Sequence, residues 1–275
     1  MNVDNAFEEF ETDEPESFPE IEELNIISGG CHLYGYMLTP DKRIEGPYPT
    51  VIMSHGFPGY TTNNDLEFVL MRMGCVVIHM NHRGAWGSEG NYLFTNLKDD
   101  IIAITKWAHN PAIAERYNID VDNIFLVGHS MGGQTVINAA KELPFIRGVA
   151  AMAAYDIGAA FDYRMEKDLF LMIETEGQCL KLTSVADVYE NALNNRQELS
   201  VVNNYEKLLD HNVLLVEAAY DTIAPAQKML KPLAKCLRDA GGRVDYEVIK
   251  SNHGFTGQRI KLARTIGKWL AELSR

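Results

Sequence analysis

At 275 residues with 46 % apolar side chains, the chain can bury a large core as one α/β domain without covalent staples. Its four cysteines (Cys31, Cys75, Cys179, Cys236) are scattered, form no Cys-x-x-Cys pair and follow an N-terminus without a basic, apolar leader, which excludes a disulfide scaffold and favours a reduced, cytoplasmic setting. The formal charge of −13 is local: residues 1–23 carry ten acids and no Lys or Arg, leaving 28 acids against 25 bases elsewhere, so no nucleic-acid surface is indicated.

Residues 1–23 read as an acidic, solvated and poorly ordered arm, with Phe7, Phe10 and Phe18 available for docking on the domain or on a partner. Leu24–Ile27 and His32–Leu38, split by Ser-Gly-Gly-Cys, read as an antiparallel hairpin. Thr50–Ser54 is a short buried strand, followed by a loop through Thr62 and a helix near 64–73. Cys75–Met80 is the next strand, and a helix near 96–109 follows it. Then come a strand at 123–128, a helix after Ser130 and a strand at 147–154. Asn212–Ala218, a helix around 225–239, a strand at 244–249 and a last helix near 256–273 complete the series. Strands joined by helices of this length predict a mainly parallel sheet covered on both faces. No run approaches ~18 apolar residues, so no membrane span is expected.

Between Tyr155 and Asp210 the alternation breaks into helix-prone segments followed by a polar stretch rich in Asn and Glu. Residues 156–211 are read as a helical lid inserted on the side of the candidate serine; helices packed on the body without a gating role are the alternative.

Ile124–Val127 runs straight into Gly128-His129-Ser130-Met131-Gly132 and on into a helix. Such a strand-to-helix turn needs glycine at 128 and 132 and lifts the Ser130 hydroxyl clear of the sheet edge, which makes Ser130 the candidate nucleophile. A hydroxyl attacks only when a base takes its proton and an acid orients that base. Asp221 follows the strand Val213–Ala218, and His253 follows the strand Tyr246–Ile249, so all three stand just past the carboxyl ends of strands, where open α/β sheets hold ligands. Asp156, after a second Ala-Ala-Tyr, is the rival acid; Asp221 is favoured because it directly precedes the strand-and-helix unit that leads to the histidine.

These residues, in the order Ser, Asp, His and together with His55-Gly56-Phe57, give residues 24–275 the appearance of an α/β-hydrolase-fold serine hydrolase. The chain resembles small bacterial esterases of the cinnamoyl and feruloyl type, and also the catalytic domain of prolyl-oligopeptidase-like hydrolases. The resemblance implies an oxyanion hole from the backbone N–H groups of Phe57 and Met131. It also matches Arg83-Gly84-Ala85-Trp86-Gly87-Ser88 to a loop that usually buttresses the oxyanion loop.

Trp86, Phe57 and Tyr155 stand as candidates for touching substrate. His129 is expected to point sideways into the scaffold, and His55 to bond within its own loop. His79 and His82, three residues apart around a strand end, are poorly placed to share a metal, and no metal or cofactor is expected. The expected reaction is hydrolysis of small to medium carboxylic esters through an acyl-enzyme. Peptide or thioester hydrolysis and a non-catalytic binding role are the alternatives, and a homodimer is left open. With only about twenty acidic residues ahead of the sheet and no propeller, cleavage of folded proteins is disfavoured.

Overall fold

Largely apolar strands joined by helices set the architecture, seen here in a computed structural model that describes residues 1–59 and 63–274. The hairpin is β1 (Glu20–Ser28) and β2 (Cys31–Thr39), followed by β3 (Tyr48–Ser54), α1 (Asn64–Arg72) and β4 (Val76–Met80). Next come α2 (Phe94–Ala108), α3 (Pro111–Tyr117), β5 (Ile119–His129), α4 (Met131–Ala140) and β6 (Gly148–Met152). An insertion of α5 (Ile157–Asp162), α6 (Glu166–Glu176), α7 (Val185–Asn194) and α8 (Arg196–Leu199) leads to β7 (Asn212–Ala218). The chain closes with α9 (Ala226–Met229), α10 (Lys231–Asp239), β8 (Arg243–Ile249) and α11 (Arg259–Leu273). At 60–62 the expected loop lies outside the described residues.

The strands form one sheet in the order β1-β2-β4-β3-β5-β6-β7-β8. β1 and β2 are antiparallel and the pairs from β4 to β8 are parallel. A parallel sheet covered on both faces needs apolar residues on both, and β3, β4 and β6 are accordingly buried almost throughout. One face packs against Ile101 and Ile104 of α2, Val136 and Ile137 of α4, and Leu233 and Leu237 of α10. The other packs against Leu66 and Leu70 of α1 and Leu262, Ile266 and Leu270 of α11.

Three departures from the sequence expectation have local causes. The helix expected at 225–239 is broken at Leu230, because Pro232 opens α10 and cannot donate to a preceding turn. The strand expected to reach 154 stops at Met152, since Ala153 adopts φ 44°. Helix α3 was not anticipated; the Asn110 side chain accepts from Ala112 N (3.0 Å) and Pro111 occupies its first turn, a capping signal in plain view.

The acidic N-terminal segment is not simply a solvated arm. Sheet structure begins at Glu20, and residues 1–7 dock on the domain: Ala6 is 2 % exposed, Asn2 N donates to Met73 O (2.9 Å), and Arg72 Nε donates to Ala6 O (3.0 Å). The Arg264 guanidinium lies over the Phe7 ring at 5.0 Å, although Phe7, like Phe18, stays exposed.

Candidate active site

The residues singled out from sequence gather at the carboxyl edge of the sheet. Ser130 sits between β5 and α4 with φ 58° and ψ −126°. A non-glycine residue held there stores on the order of 1–3 kcal/mol of strain, so the surroundings must fix it. They do so by close approach: a Cβ on Gly128 would lie 2.2 Å from Gly132 O, and one on Gly132 would lie 2.2 Å from Ser54 O. The Ser130 backbone is pinned as well, its N–H donating to Met152 O (2.9 Å) and its carbonyl accepting from Tyr155 N (3.0 Å).

His253 lies in the loop after β8, with Nε2 2.9 Å from Ser130 Oγ and Nδ1 2.7 Å from Asp221 Oδ2. A carboxylate can only accept, so Nδ1 carries the proton of the neutral ring, and Nε2 is left to accept from the Ser130 hydroxyl. Asp221, in the loop after β7, has its other oxygen held by Ile223 N and Ala224 N, both at 2.9 Å. Burial pushes the Asp221 carboxyl up, but the hydrogen bond and charge of His253 and the two backbone donors outweigh it and bring it below the ordinary value. The arrangement can pass a proton from serine to imidazole and stabilise the imidazolium that results.

Asp156 has a different place. It caps α5 by accepting from Ala159 N (3.1 Å) and ties the far end of the insertion by accepting from Val201 N (3.2 Å). Burial pushes its carboxyl up to about 6, against the lowering effect of those N–H groups and of Lys141. Lys141 Nζ, bonded to Asn138 Oδ1 (2.8 Å) and to the carbonyls of Ser200, Val201 and Asn203 (3.3, 3.0 and 2.6 Å), holds the same returning loop.

Phe57 follows β3 beside the elbow, where a Cβ on Gly56 would stand 3.1 Å from Ser130 Cβ. Met131 opens α4, so its N–H has no carbonyl one turn back to accept it. The Phe57 ring rests against Tyr92 (5.7 Å) and Phe94 (5.8 Å), and the Tyr92 hydroxyl donates to Met131 Sδ at 2.7 Å. The sequence reading missed Tyr92 and Phe94; both precede or open a helix far along the chain from Phe57, and no local pattern links them.

Trp86, 42 % exposed, donates Nε1–H to Pro58 O (2.8 Å) and so braces the loop that carries Phe57. Arg83 is bonded to Asp100 Oδ1 (2.6 Å) and Asn96 O (2.9 Å), away from the serine. Tyr155 is buried; burial, then the Asp168 and Asp156 charges, push its phenol up to about 12. It lines a cleft of about 270 Å³ with Met165, Leu171, Met172, Thr222 and Ile223, the last two following Asp221.

His55 bonds within its own loop, Nδ1 to Gly56 O (2.8 Å), and burial pushes it down to about 3. His79 pairs with Glu67 (2.8 Å) and His82 Nε2 with Ser54 Oγ (3.0 Å). His129 does more than point into the scaffold: its Nε2 is 2.8 Å from the carbonyl oxygen of His253.

Residues 62–275 match the family model described as the prolyl oligopeptidase family. The chain belongs to that family. It is therefore a serine hydrolase of the α/β-hydrolase fold, as the resemblance implied.

Solved structures agree on the fold. Brefeldin A esterase, described as a bacterial homologue of human hormone-sensitive lipase, superposes with a TM-score of 0.71 at 19 % identity, over 98 % of this chain and 82 % of that one. Est1E from Butyrivibrio proteoclasticus, solved with ferulic acid bound, gives 0.66 at 16 % identity, over 91 % and 98 % of the two chains. The acylaminoacyl peptidase of Pyrococcus horikoshii gives 0.68 at 17 % identity, over 92 % of this chain but 41 % of that one. No curated protein matches this member of the prolyl oligopeptidase family in sequence. None of its helices, among the described residues, is long and apolar enough to cross a membrane.

Proposed function

We propose that this serine hydrolase cleaves small to medium carboxylic esters through an acyl-enzyme formed on Ser130. The observation that carries the reading is the unbroken hydrogen-bonded chain from Ser130 Oγ through His253 to Asp221. His253 Nε2 takes the hydroxyl proton as Oγ attacks the acyl carbonyl, and Asp221 stabilises the imidazolium. The N–H groups of Phe57 and Met131 receive the oxyanion. His253 returns the proton to the leaving alcohol, and water, activated by the same base, releases the acid. No step needs a metal or cofactor. The mostly apolar cleft of Tyr155, Met165, Leu171, Met172 and Ile223, with Asp168 and Glu176 also in its lining, supports an ester with a hydrophobic acyl or aryl arm, and Phe57 and Trp86 are proposed as further substrate contacts. Helices α5–α8 act as the lid over that cleft.

A peptidase reading has one observation in its favour, the family match itself. Comparing p-nitrophenyl esters with aminoacyl-p-nitroanilides decides between them. Ester turnover abolished in Ser130→Ala supports the proposal; anilide turnover exceeding ester turnover moves the assignment to a peptidase.

A further inference from the structure

We propose that His129 is a positioning residue that fixes the height of the catalytic base over the nucleophile by donating its Nε2–H to the backbone carbonyl of His253. The inference rests on the reading of His253 as the base that serves Ser130. A carbonyl only accepts, so the 2.8 Å contact sets the tautomer of His129 with the proton on Nε2. The His129 ring is 3 % exposed and stands 4.8 Å from the His253 ring at 44°, with the buried Phe255 ring on another side at 6.2 Å. Burial, and next the neighbouring charge of His253, push its pKa down to about 4, so it stays neutral while His253 takes and returns protons.

The covalent path makes the contact consequential. His129 is the peptide neighbour of Ser130, whose backbone is held at φ 58°, so the side chain that grips the base is anchored one residue from the nucleophile. The loop it grips is short of rigid elements. Gly254 and Gly257 lie in the turn, and ties such as Phe255 N to Asn252 O (2.9 Å), Thr256 N to Asn252 Oδ1 (3.0 Å) and Arg259 Nη1 to Gly254 O (3.2 Å) hold the residues on either side of 253, whose ring is held by Asp221 and whose carbonyl is bonded by His129. Beside the hold of Asp221 on the ring, the 2.9 Å separation of Nε2 and Oγ thus depends on a strut carried by the residue covalently next to Ser130.

Three substitutions in the full-length chain separate the hydrogen bond from ring packing. His129→Gln carries an amide N–H to the position of Nε2, His129→Asn stops short of the carbonyl, and His129→Phe keeps a ring without a donor. The expected kcat for p-nitrophenyl acetate stays within about threefold of wild type for Gln and falls about tenfold or more for Asn and Phe, with KM unchanged. Fluorophosphonate labelling rates of Ser130 should fall in parallel. Melting temperatures identify any variant that fails to fold, in which case the Gln and Asn pair carries the comparison. Wild-type turnover in a folded His129→Phe or His129→Asn, or a folded Gln variant as impaired as those, overturns the inference. If wild-type protein neither labels at Ser130 nor hydrolyses esters, the assignment of the base fails and the strut fails with it; labelling in wild type beside an unaffected Phe variant overturns the strut alone.

Discussion

The chain contains the same tetrapeptide twice at strand ends, Ala153-Ala154-Tyr155-Asp156 after β6 and Ala218-Ala219-Tyr220-Asp221 after β7, and the two aspartates meet opposite fates. Both use one oxygen on backbone N–H groups of the segment that follows. The second oxygen makes the difference. For Asp156 it reaches another backbone N–H, that of Val201, and burial drives the carboxyl up to about 6; for Asp221 it reaches the imidazole of His253, and the carboxyl is held below its ordinary value. A strand end supplies a carboxylate aimed past the sheet edge, and what the topology brings opposite decides whether that carboxylate holds the fold or serves a base.

The comparison is broken most directly at the nucleophile. Ser130→Ala should lower ester turnover by on the order of 10⁴-fold or more in a folded protein, and adding His253→Ala should change little further, because members of one unit are not additive. Steady-state kinetics of single and double variants check this, and additive losses would place the two residues in separate steps.

The aspartates themselves come next. Asp221→Asn should lower kcat by roughly 10³–10⁴-fold with little loss of stability, since an amide cannot hold the imidazolium or its tautomer. Asp156→Asn should do the reverse: a loss of about 1–3 kcal/mol in urea unfolding, from a buried N–H left without its acceptor, with turnover largely kept. The opposite ranking would exchange the two roles.

A pH series sharpens the contrast at smaller amplitude. His129 and His55 are held neutral, at about 4 and about 3, whereas the unfolded chain binds a proton near ~6.5. Their depressed values mean stability is fully present above pH ~6.5 and is lost as pH falls below it. Asp156, raised to about 6 from 3.8, has the other sign, its contribution growing as pH falls through that window. Urea midpoints at about pH 7 and about pH 5 should therefore show a flatter acid loss in His129→Gln and a steeper one in Asp156→Asn than in wild type.

The smallest effect is expected at the N-terminus. Removing residues 2–17 should leave turnover within about twofold while lowering the melting temperature by roughly 2–6 °C, because the buried Ala6 and Ser17 are lost with the ties from Asn2 N to Met73 O, Arg72 Nε to Ala6 O and Lys42 N to Ser17 O. A large loss of turnover would make the segment part of the site.

The sheet and its order of elements were legible because buried parallel strands are continuous apolar runs and each is followed by helical periodicity. The positions of Ser130, Asp221 and His253 were legible for the same reason, each lying immediately after such a run, and the structure brings these three side chains into one hydrogen-bonded chain. What stayed hidden was tertiary. Docking of the acidic N-terminal segment on the domain was allowed for through Phe7, but the burial of Ala6 within it runs against the composition of the segment. Tyr92 under Met131 and His129 under His253 join residues 39 and 124 positions apart, and no spacing rule reaches that far. The break at Leu230 and the cap at Asn110 were readable, since Pro232 and the Asn-Pro pair announce both.

Active-site labelling tests the central claim most directly. Wild-type protein, Asp156→Asn, Asp221→Asn and Ser130→Ala are treated with a fluorophosphonate, and the modified peptide is mapped by mass spectrometry. The account predicts rapid, stoichiometric modification of Ser130 in wild type and in Asp156→Asn, slow modification in Asp221→Asn and none in Ser130→Ala. Modification at another residue, or equal rates in the two aspartate variants, would contradict it.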